Sequence, residues 1–452
     1  FVPSNVSRTL KPGATVKELK DALLETVGGY HKGFARRFFS GVKPILQKVI
    51  EEEIYIPESA FEADGENRSQ ATELSTKPEE ITPDPKSSEA LHFLLYTTLC
   101  LQAYLDSVVE KHSASRRKSQ GLAQHQPVVV VSEVCEIAEI LHGLLFELHG
   151  CGPDGIPVQT AVLNLCESWW HSNACQRDPL VPMTLTLMTL KAIGTDEKPP
   201  QKSDIKRLLK MKEAFHVIEW ADESSNSLRS LLQKIVSHPL CLKSREGKKF
   251  LSGLFLVDQE LSKDLHQAIK IQMPQAKKEI LMAFGEIYKK AWKDTLDDKV
   301  PEEFQQSIED NILQDLMYSV LHVAKPRLTK ALLIVLEPFH EAKRVSEVEG
   351  LLYRLYGPIL WRALSAANEQ VRINAATVFG EVFPLAEPLH AQANAALHRG
   401  AEKLLALLQD KCPKVRVAGA ETVAKVLVNY WDVMATDDIR SLLNRKYLIC
   451  GL

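Results

Sequence analysis

The chain has 452 residues, 45% apolar and 25% charged, with a formal net charge of −3. This is ordinary globular composition, and it excludes nucleic-acid binding through overall basicity, so any such contact must come from local patches. The longest apolar candidate, Leu91 to Leu105, is interrupted by His92 and Gln102. It falls short of the roughly 17–25 residues of a membrane-spanning helix, so no membrane partner is predicted. The eight cysteines (Cys100, Cys135, Cys151, Cys166, Cys175, Cys241, Cys412 and Cys450) are scattered without a C-x-x-C pair. That pattern predicts a reducing, intracellular setting in which thiols pack as small apolar groups. A start at Phe1 without a signal-peptide pattern predicts a piece of a longer protein.

Residues 1–50 hold nine Lys/Arg against three Asp/Glu, a balance of +6. They read as a basic helical segment, with a capping box opening a helix from Thr15 to Val27 and a second helical piece over Val42 to Glu53. Residues 51–90 reverse the sign, with twelve acids against three bases, and carry Pro57, Pro78, Pro83 and Pro85. High charge and helix-breaking prolines predict an acidic flexible loop. A further loop is expected from His112 to Pro127, around the Arg116-Arg117-Lys118 triplet. Valines 128–131 lack a partner strand in the sequence, so a strand there is improbable.

Helical periodicity accounts for most of the remainder. Helices are predicted over 132–149, 158–171, 181–193, 203–220, 226–237, 245–257, 260–272 and 275–293. Further ones fall at 302–323, 328–340, 345–366, 369–383, 399–409 and 413–430. The segmentation is therefore 1–50, 51–90, a helical region over 91–340, helical repeats over 341–445, and an atypical tail over 446–452.

Two stretches set the fold class. Pro358 to Val382 and Leu404 to Leu427 each contain an apolar helix, a short polar break, and Val-Arg opening an Ala-rich second helix. Val371-Arg372 and Val415-Arg416 lie 44 residues apart, within the roughly 40–47 residue period of HEAT-type helix pairs. Such a pair buries its apolar face only by stacking on neighbours. The predicted fold is all-α, a HEAT-repeat α-solenoid of stacked antiparallel helix pairs, which points to a scaffold and away from catalysis.

The chemistry agrees. The sequence has no G-x-x-x-x-G-K-[ST] loop, no G-x-G-x-x-G after a strand, no H-E-x-x-H and no G-x-S-x-G, so neither an enzyme nor a cofactor is predicted. His142, His149, Cys151, Cys166, His171 and Cys175 lack the tight ligand pairs that zinc favours and read as packing and surface residues. Val371, Arg372, Asp410, Val415 and Arg416 read as structural repeat residues, with the Asp410 carboxylate expected to meet Arg416, six residues on. Ala366 stands where Asp410 sits in the later repeat, so an incomplete ladder is expected in the earlier one. In the 275–293 helix, Lys278, Lys289 and Lys293 fall within about 60° of one another, opposite Ile280, Leu281, Phe284, Ile287, Tyr288, Ala291 and Trp292. They are the candidate DNA-phosphate contacts, weighed against a solvated face whose C-terminal lysines complement the helix dipole. Of Trp169 and Trp170, about 100° apart on a helix, one is expected in the core and the other toward a partner.

LLYRLYGPILWRALSAANEQVRINAATVFGEVFPL (351–385) resembles the condensin II non-SMC HEAT-repeat subunit of the G type. LNLCESWW (163–170), REGKKFLSGLF (245–255), KKEILMAFGEIYKKAWK (277–293) and KVRVAGAETVAKVLVNYWDVM (414–434) follow in the order of that family. The most specific run is Tyr-Arg-Leu-Tyr-x-Pro-Ile-Leu-Trp-Arg at 353–362. The resemblance implies a nuclear, chromosome-associated, non-catalytic subunit of a hetero-oligomer that condenses mitotic chromosomes. It implies as partners a kleisin chain, two SMC ATPase subunits, a second HEAT subunit and duplex DNA. The family is typically more than twice as long, so the chain would correspond to its N-terminal portion. The alternative is a generic HEAT-repeat adaptor that binds protein cargo.

Overall fold

The computed structural model describes residues 32–56, 85–118, 127–194, 199–386 and 393–444. It forms two compact units, residues 1–191 with 213–228, and residues 192–212 with 229–452. The predicted Thr15–Val27 helix, most of the acidic segment and the 446–452 tail lie outside the described residues.

Helices dominate, as the periodicity predicts. Through the first unit run α1 (Lys32–Glu51), α2 (Pro85–Lys118), α3 (Ser132–Gly143), α4 (Glu147–Gly150), α5 (Gly152–His171) and α6 (Pro182–Ile193). Next come α7 (Lys202–Lys210), α8 (Asn226–Ile235), α9 (Pro239–Lys243), α10 (Arg245–Leu254), α11 (Gln259–Gln272) and α12 (Lys278–Asp294). The chain continues through α13 (Glu302–Ser307), a π-helical turn (Ile308–Leu313), α14 (Gln314–His322), α15 (Pro326–Glu341) and α16 (Ser346–Ala363). It closes with α17 (Glu369–Val382), α18 (Ala393–Leu408), α19 (Pro413–Tyr430) and α20 (Thr436–Leu442).

Several boundaries differ from the sequence reading, and proline explains most of them. Pro85 opens α2 where a breaker was expected, because a first-turn residue needs no amide hydrogen. The expected loop from His112 is helical through Lys118, and α1 begins ten residues ahead of Val42 with Pro44 inside it. Helix α5 starts at Gly152, whose positive φ of 67° turns the chain, and it carries Pro157 in its interior. The expected 302–323 helix is interrupted by the π turn, and the 203–220 helix ends in 3₁₀ geometry after Lys210. Val128 forms a single parallel bridge with Ala174, so the valine run has a partner although it is no strand.

In the first unit, α2 packs on α5 and α3 on both. Leu94, Leu101, Ile137, Leu141, Val162, Leu165 and Trp169 are buried where these helices meet. His142 is buried among them, and loss of hydration pushes its imidazole down to about 4.

In the second unit, alternate helices lie side by side and run the same way. Gly285 of α12 faces Val335 of α15, and Trp292, two turns on, meets Phe339 with ring centroids 6.1 Å apart. Both contacts advance together, so α12 and α15 are parallel. The same logic aligns α17 with α19: Thr422 Oγ1 donates to the Ala376 carbonyl (3.0 Å), and Tyr430 stacks edge-on against Phe383 at 5.1 Å. Helices α15 and α17 pack together; Lys343, just past α15, donates to the Glu381 carbonyl near the end of α17 (2.6 Å). At the other end Asn374 of α17 donates to the carbonyls of Leu321 (3.2 Å) and Val323 (2.9 Å), just ahead of α15. Thus α12, α15, α17 and α19 form a parallel row. The helices between them return the chain as antiparallel partners, as in the pairs α16–α17 and α18–α19.

The row is close enough that side-chain volume decides it. A Cβ on Gly285 would lie 2.4 Å from the Val335 carbonyl oxygen, whereas one on Gly357 would meet nothing within 4 Å. Gly285→Ala is therefore expected to cost about 1–3 kcal/mol through overpacking, and Gly357→Ala to be neutral or slightly stabilising. Urea midpoints of the two variants read the difference, and equal midpoints would refute the close approach. A second prediction concerns buried His340, whose Nε2 pairs with Tyr356 Oη at 3.0 Å. Burial, then Lys343 and Lys425, push its pKa down to about 3. Below pH about 6.5 the unfolded chain binds a proton that the folded chain refuses, so stability falls as pH drops. From pH 6.5 to 5 this one residue should cost about 2 kcal/mol. Thermal melts of wild type and His340→Gln at both pH values measure it, and the same pH slope in both would remove His340 as the cause.

Candidate nucleic-acid interface

The Val-Arg repeat residues fix the turns that lead into α17 and α19. Val371 and Val415, both buried, sit in the first turn of α17 and α19. Each following arginine folds back on its own inter-helix turn. Arg372 Nη1 donates to the carbonyls of Ala366 (2.7 Å) and Ala367 (2.9 Å). Arg416 Nη1 donates to those of Asp410 (3.0 Å) and Lys411 (3.4 Å). The two sites are equivalent at the 44-residue offset.

The carboxylate partner differs from the expectation. Asp410 accepts two bonds from Arg372, Nε to Oδ2 at 2.7 Å and Nη2 to Oδ1 at 3.0 Å, so the clasp joins one pair to the next. Arg416 holds the Asp410 backbone carbonyl instead. Six residues of separation close the turn and leave the aspartate side chain aimed at the preceding repeat. The earlier repeat is therefore not the incomplete one: Arg372 needs no acid at Ala366, because it draws its acid from Asp410. Arg372 keeps only 6% of its side-chain surface exposed and Asp410 13%. Burial favours the protonated acid, but bonds from Arg372 and the Cys412 amide outweigh it and hold the carboxyl below its usual range.

The three lysines of α12 fare differently from one another. Lys278 and Lys293 are exposed. They stand at opposite ends of the helix, fifteen residues and so about 22 Å apart along its axis. Lys289 is half-buried and donates to the Pro338 carbonyl at 2.8 Å. That carbonyl belongs to the last turn of α15, where intrahelical donors run out. The apolar face opposite is buried at Leu281, Phe284, Ile287, Tyr288, Ala291 and Trp292, with Ile280 half-buried.

The parallel row collects a second set of bases that the sequence reading did not assemble. Lys277 and Lys278 begin α12, Lys325 and Arg327 flank the start of α15, and Lys411 and Lys414 flank the start of α19. All six are exposed. Because the helices are parallel, these residues share one edge of the second unit, where the unpaired amides of the helix starts add partial positive charge. Among the described residues, exposed acids at these starts are Glu279 and Glu369. No periodicity within one helix reveals such an edge, since it needs the register between helices 40 to 50 residues apart.

Other expected features resolve as packing. Trp169 and Trp170 are both buried. Trp169 Nε1 donates to the Cys175 carbonyl at 3.0 Å, and the Arg177 guanidinium covers Trp170 at 4.1 Å, so neither ring is left for a partner. Among the described residues no group of three or more His, Cys, Asp or Glu could hold a metal ion. Two buried polar knots had no sequence signal. Glu309 in the π turn accepts from Trp292 (2.9 Å), Gln305 (2.9 Å) and Arg354 (2.8 Å). His266 lies between Tyr288 (2.8 Å) and Asp315 (2.9 Å), with Lys270 also on Asp315 (2.6 Å).

The two arginines should separate by stability. Arg372→Ala strands a largely buried carboxylate and is expected to cost about 3 kcal/mol. Arg416→Ala loses bonds to backbone carbonyls in a half-exposed turn and should cost about 1 kcal/mol. Denaturant melts of the folded variants measure both, and a larger loss at Arg416 would reverse the assignment of the clasp.

Residues 234–387 match the family described as the condensin II non structural maintenance of chromosomes subunit. The match covers α9 to α17 and so most of the parallel row. The chain is 29% identical to the condensin-2 complex subunit G2 of Homo sapiens over 357 residues, 75% of this chain and 30% of that protein. It is 30% identical to the Xenopus laevis subunit G2 over 329 residues, 70% of this chain and 27% of that protein. For Danio rerio the values are 32% over 296 residues, 65% and 25%. The chain thus spans less than a third of the length of these relatives. On the family match over its stacked helix pairs and these identities, the chain is a relative of the condensin II non-SMC subunits of the G2 type.

Proposed function

We propose that the chain acts as a non-catalytic scaffold of a condensin II complex, supporting mitotic chromosome condensation by holding a kleisin chain and duplex DNA. Its further partners in this reading are two SMC ATPase subunits and a second HEAT subunit, and its place is the nucleus, on chromosomes. The relatives' names support membership in the complex, and the all-helical, pair-stacked architecture suits a scaffold.

The observation that carries the DNA part is the edge formed by the starts of α12, α15 and α19, with six exposed bases. Parallel helices pack about 8–10 Å apart, so the neighbouring starts of α12 and α15 place four cations within reach of adjacent phosphates, with Lys411 and Lys414 one helix further on, past α17. Flexible lysine stems neutralise phosphate without reading sequence. Lys278 belongs to this edge. Lys293 offers a second phosphate contact at the far end of α12, and Lys289 joins it only by giving up the Pro338 carbonyl.

A salt titration tests the proposal on the assembled complex and on unrelated duplexes. Each neutralised phosphate contributes about 0.9 to the slope of log affinity against log salt. Replacing Lys277, Lys278, Lys325 and Arg327 together by Ala should reduce that slope by up to about 3.6, with circular dichroism unchanged. Replacing Lys289 by Ala should lower stability more than it lowers affinity. Unaltered slopes in the quadruple variant would reduce the edge to a solvated surface. Purifying the tagged chain from nuclei tests the scaffold role: co-purified kleisin and SMC chains support it, and recovery of peptide cargo without them favours a generic adaptor.

A further inference from the structure

In the first unit, Cys135 of α3 and Cys175, four residues past α5, place their sulfurs 4.0 Å apart across 40 residues of sequence. Cys135 is buried and Cys175 is half-exposed. The turn that carries Cys175 is held on every side. Its amide donates to the Val128 carbonyl (2.9 Å), and its own carbonyl accepts from Trp169 (3.0 Å). Asn173 and Gln176 on either side take positive φ values of 54° and 52°, a conformation that costs non-glycine residues and persists only where the surroundings enforce it. The Val130 amide points at the Cys175 sulfur at 3.2 Å. The Cys175 thiol in turn donates to the Val130 carbonyl at 3.7 Å.

From this geometry we infer that Cys175 and Cys135 form a peroxide-responsive dithiol, with Cys175 the attacking sulfur and Cys135 the resolving one. The Cys175 thiolate attacks the terminal oxygen of a hydroperoxide and the O–O bond breaks. Water or an alcohol leaves with the proton, and Cys175 becomes a sulfenic acid. The Cys135 sulfur then displaces the hydroxyl, which departs as water with the Cys135 proton. Two thiols are oxidised by two electrons to one disulfide, and one hydroperoxide is reduced. The sulfurs must close from 4.0 Å to about 2.05 Å. Exposure sets the order, because a peroxide reaches Cys175 before the buried partner. Burial also pushes the Cys135 thiol up to about 12, so little of it is thiolate and its attack is the slower step. The bond would tie the start of α3 to the segment after α5, beside the existing Val128–Ala174 bridge.

The test is a peptide map of the full chain after graded hydrogen peroxide, with remaining thiols alkylated and sulfenic acid trapped by dimedone. A Cys135–Cys175 cross-linked peptide that dithiothreitol reverses is expected. In Cys135→Ser the cross-link should vanish and dimedone should accumulate on Cys175, and in Cys175→Ser both signals should be lost. The inference is overturned if wild-type Cys175 proceeds to sulfinic or sulfonic acid while Cys135 stays alkylatable. It is equally overturned if the first disulfide pairs either cysteine with another thiol. Should a variant fail to fold, the wild-type map alone decides between these outcomes.

Discussion

Everything in the second unit depends on how closely α12, α15, α17 and α19 can lie side by side. Glycine at 285 lets α12 settle onto the Val335 carbonyl, and Gly380 lets α17 approach Thr422, where a Cβ would come within 3.0 Å of the methyl group. Side chains then bond to the carbonyls left over at the helix ends, as Lys289 does to Pro338, Lys343 to Glu381 and Tyr430 to Phe383. Each of these bonds satisfies a group that the helix itself leaves without a partner. The row is held at the helix ends by polar bonds and along its length by apolar contact. This arrangement leaves the opposite ends, the helix starts, to carry charge outward.

That asymmetry explains why two sets of lysines on similar helices end up in different roles. Lys289 and Lys343 lie toward the ends of α12 and α15, among carbonyl groups that attract them. Lys277, Lys278, Lys325 and Arg327 lie at helix starts, where the local backbone offers donors and repels a cation inward. A side chain repelled by its own helix end extends into solvent, which is where a phosphate can meet it. The two Val-Arg arginines are the exceptions among the bases at this edge. Arg372 is drawn inside because the turn carbonyls and Asp410 together supply four acceptor contacts.

Much of this was legible in the sequence, and the failures have physical causes. The helix at 413–430 and its partner at 369–383 were located to within a residue, because capping and first-turn residues (Asn368 before α17, Pro413 in α19) coincide with strong periodicity. The buried face of α12 followed from the same periodicity. The arginine repeat was visible, but its acid partner was misassigned, since local spacing favours Asp410 with Arg416 and only stacking brings Arg372 to it. The lysine face of α12 was real as geometry on one helix. Its division into a structural lysine and two distant exposed ones depends on the neighbour, α15, and on where that neighbour ends. The basic edge and the Glu309 and His266 knots were illegible for the same reason, as each is assembled from three or more elements.

The distances along the chain between bonded helices also set the order in which the protein can fold as it leaves the ribosome. In the second unit the side chains that bridge separate helices join residues no more than 53 apart, from His340 with Tyr356 at 16 to Asn374 with Leu321 at 53. Each new helix pair finds its bonding partners in the pair made just before it, so structure can accumulate in step with synthesis. In the first unit Arg36 pairs with Glu133, Lys43 with Glu136 and Tyr55 with Glu147, across 92 to 97 residues. Helix α1 has only part of its cover, from α2 where Phe39 meets Tyr104, until α3 and α4 have emerged. Loop-closure entropy makes that long-range docking the slower event. During synthesis α1 is thus open to aggregation for longer than the helices of the second unit.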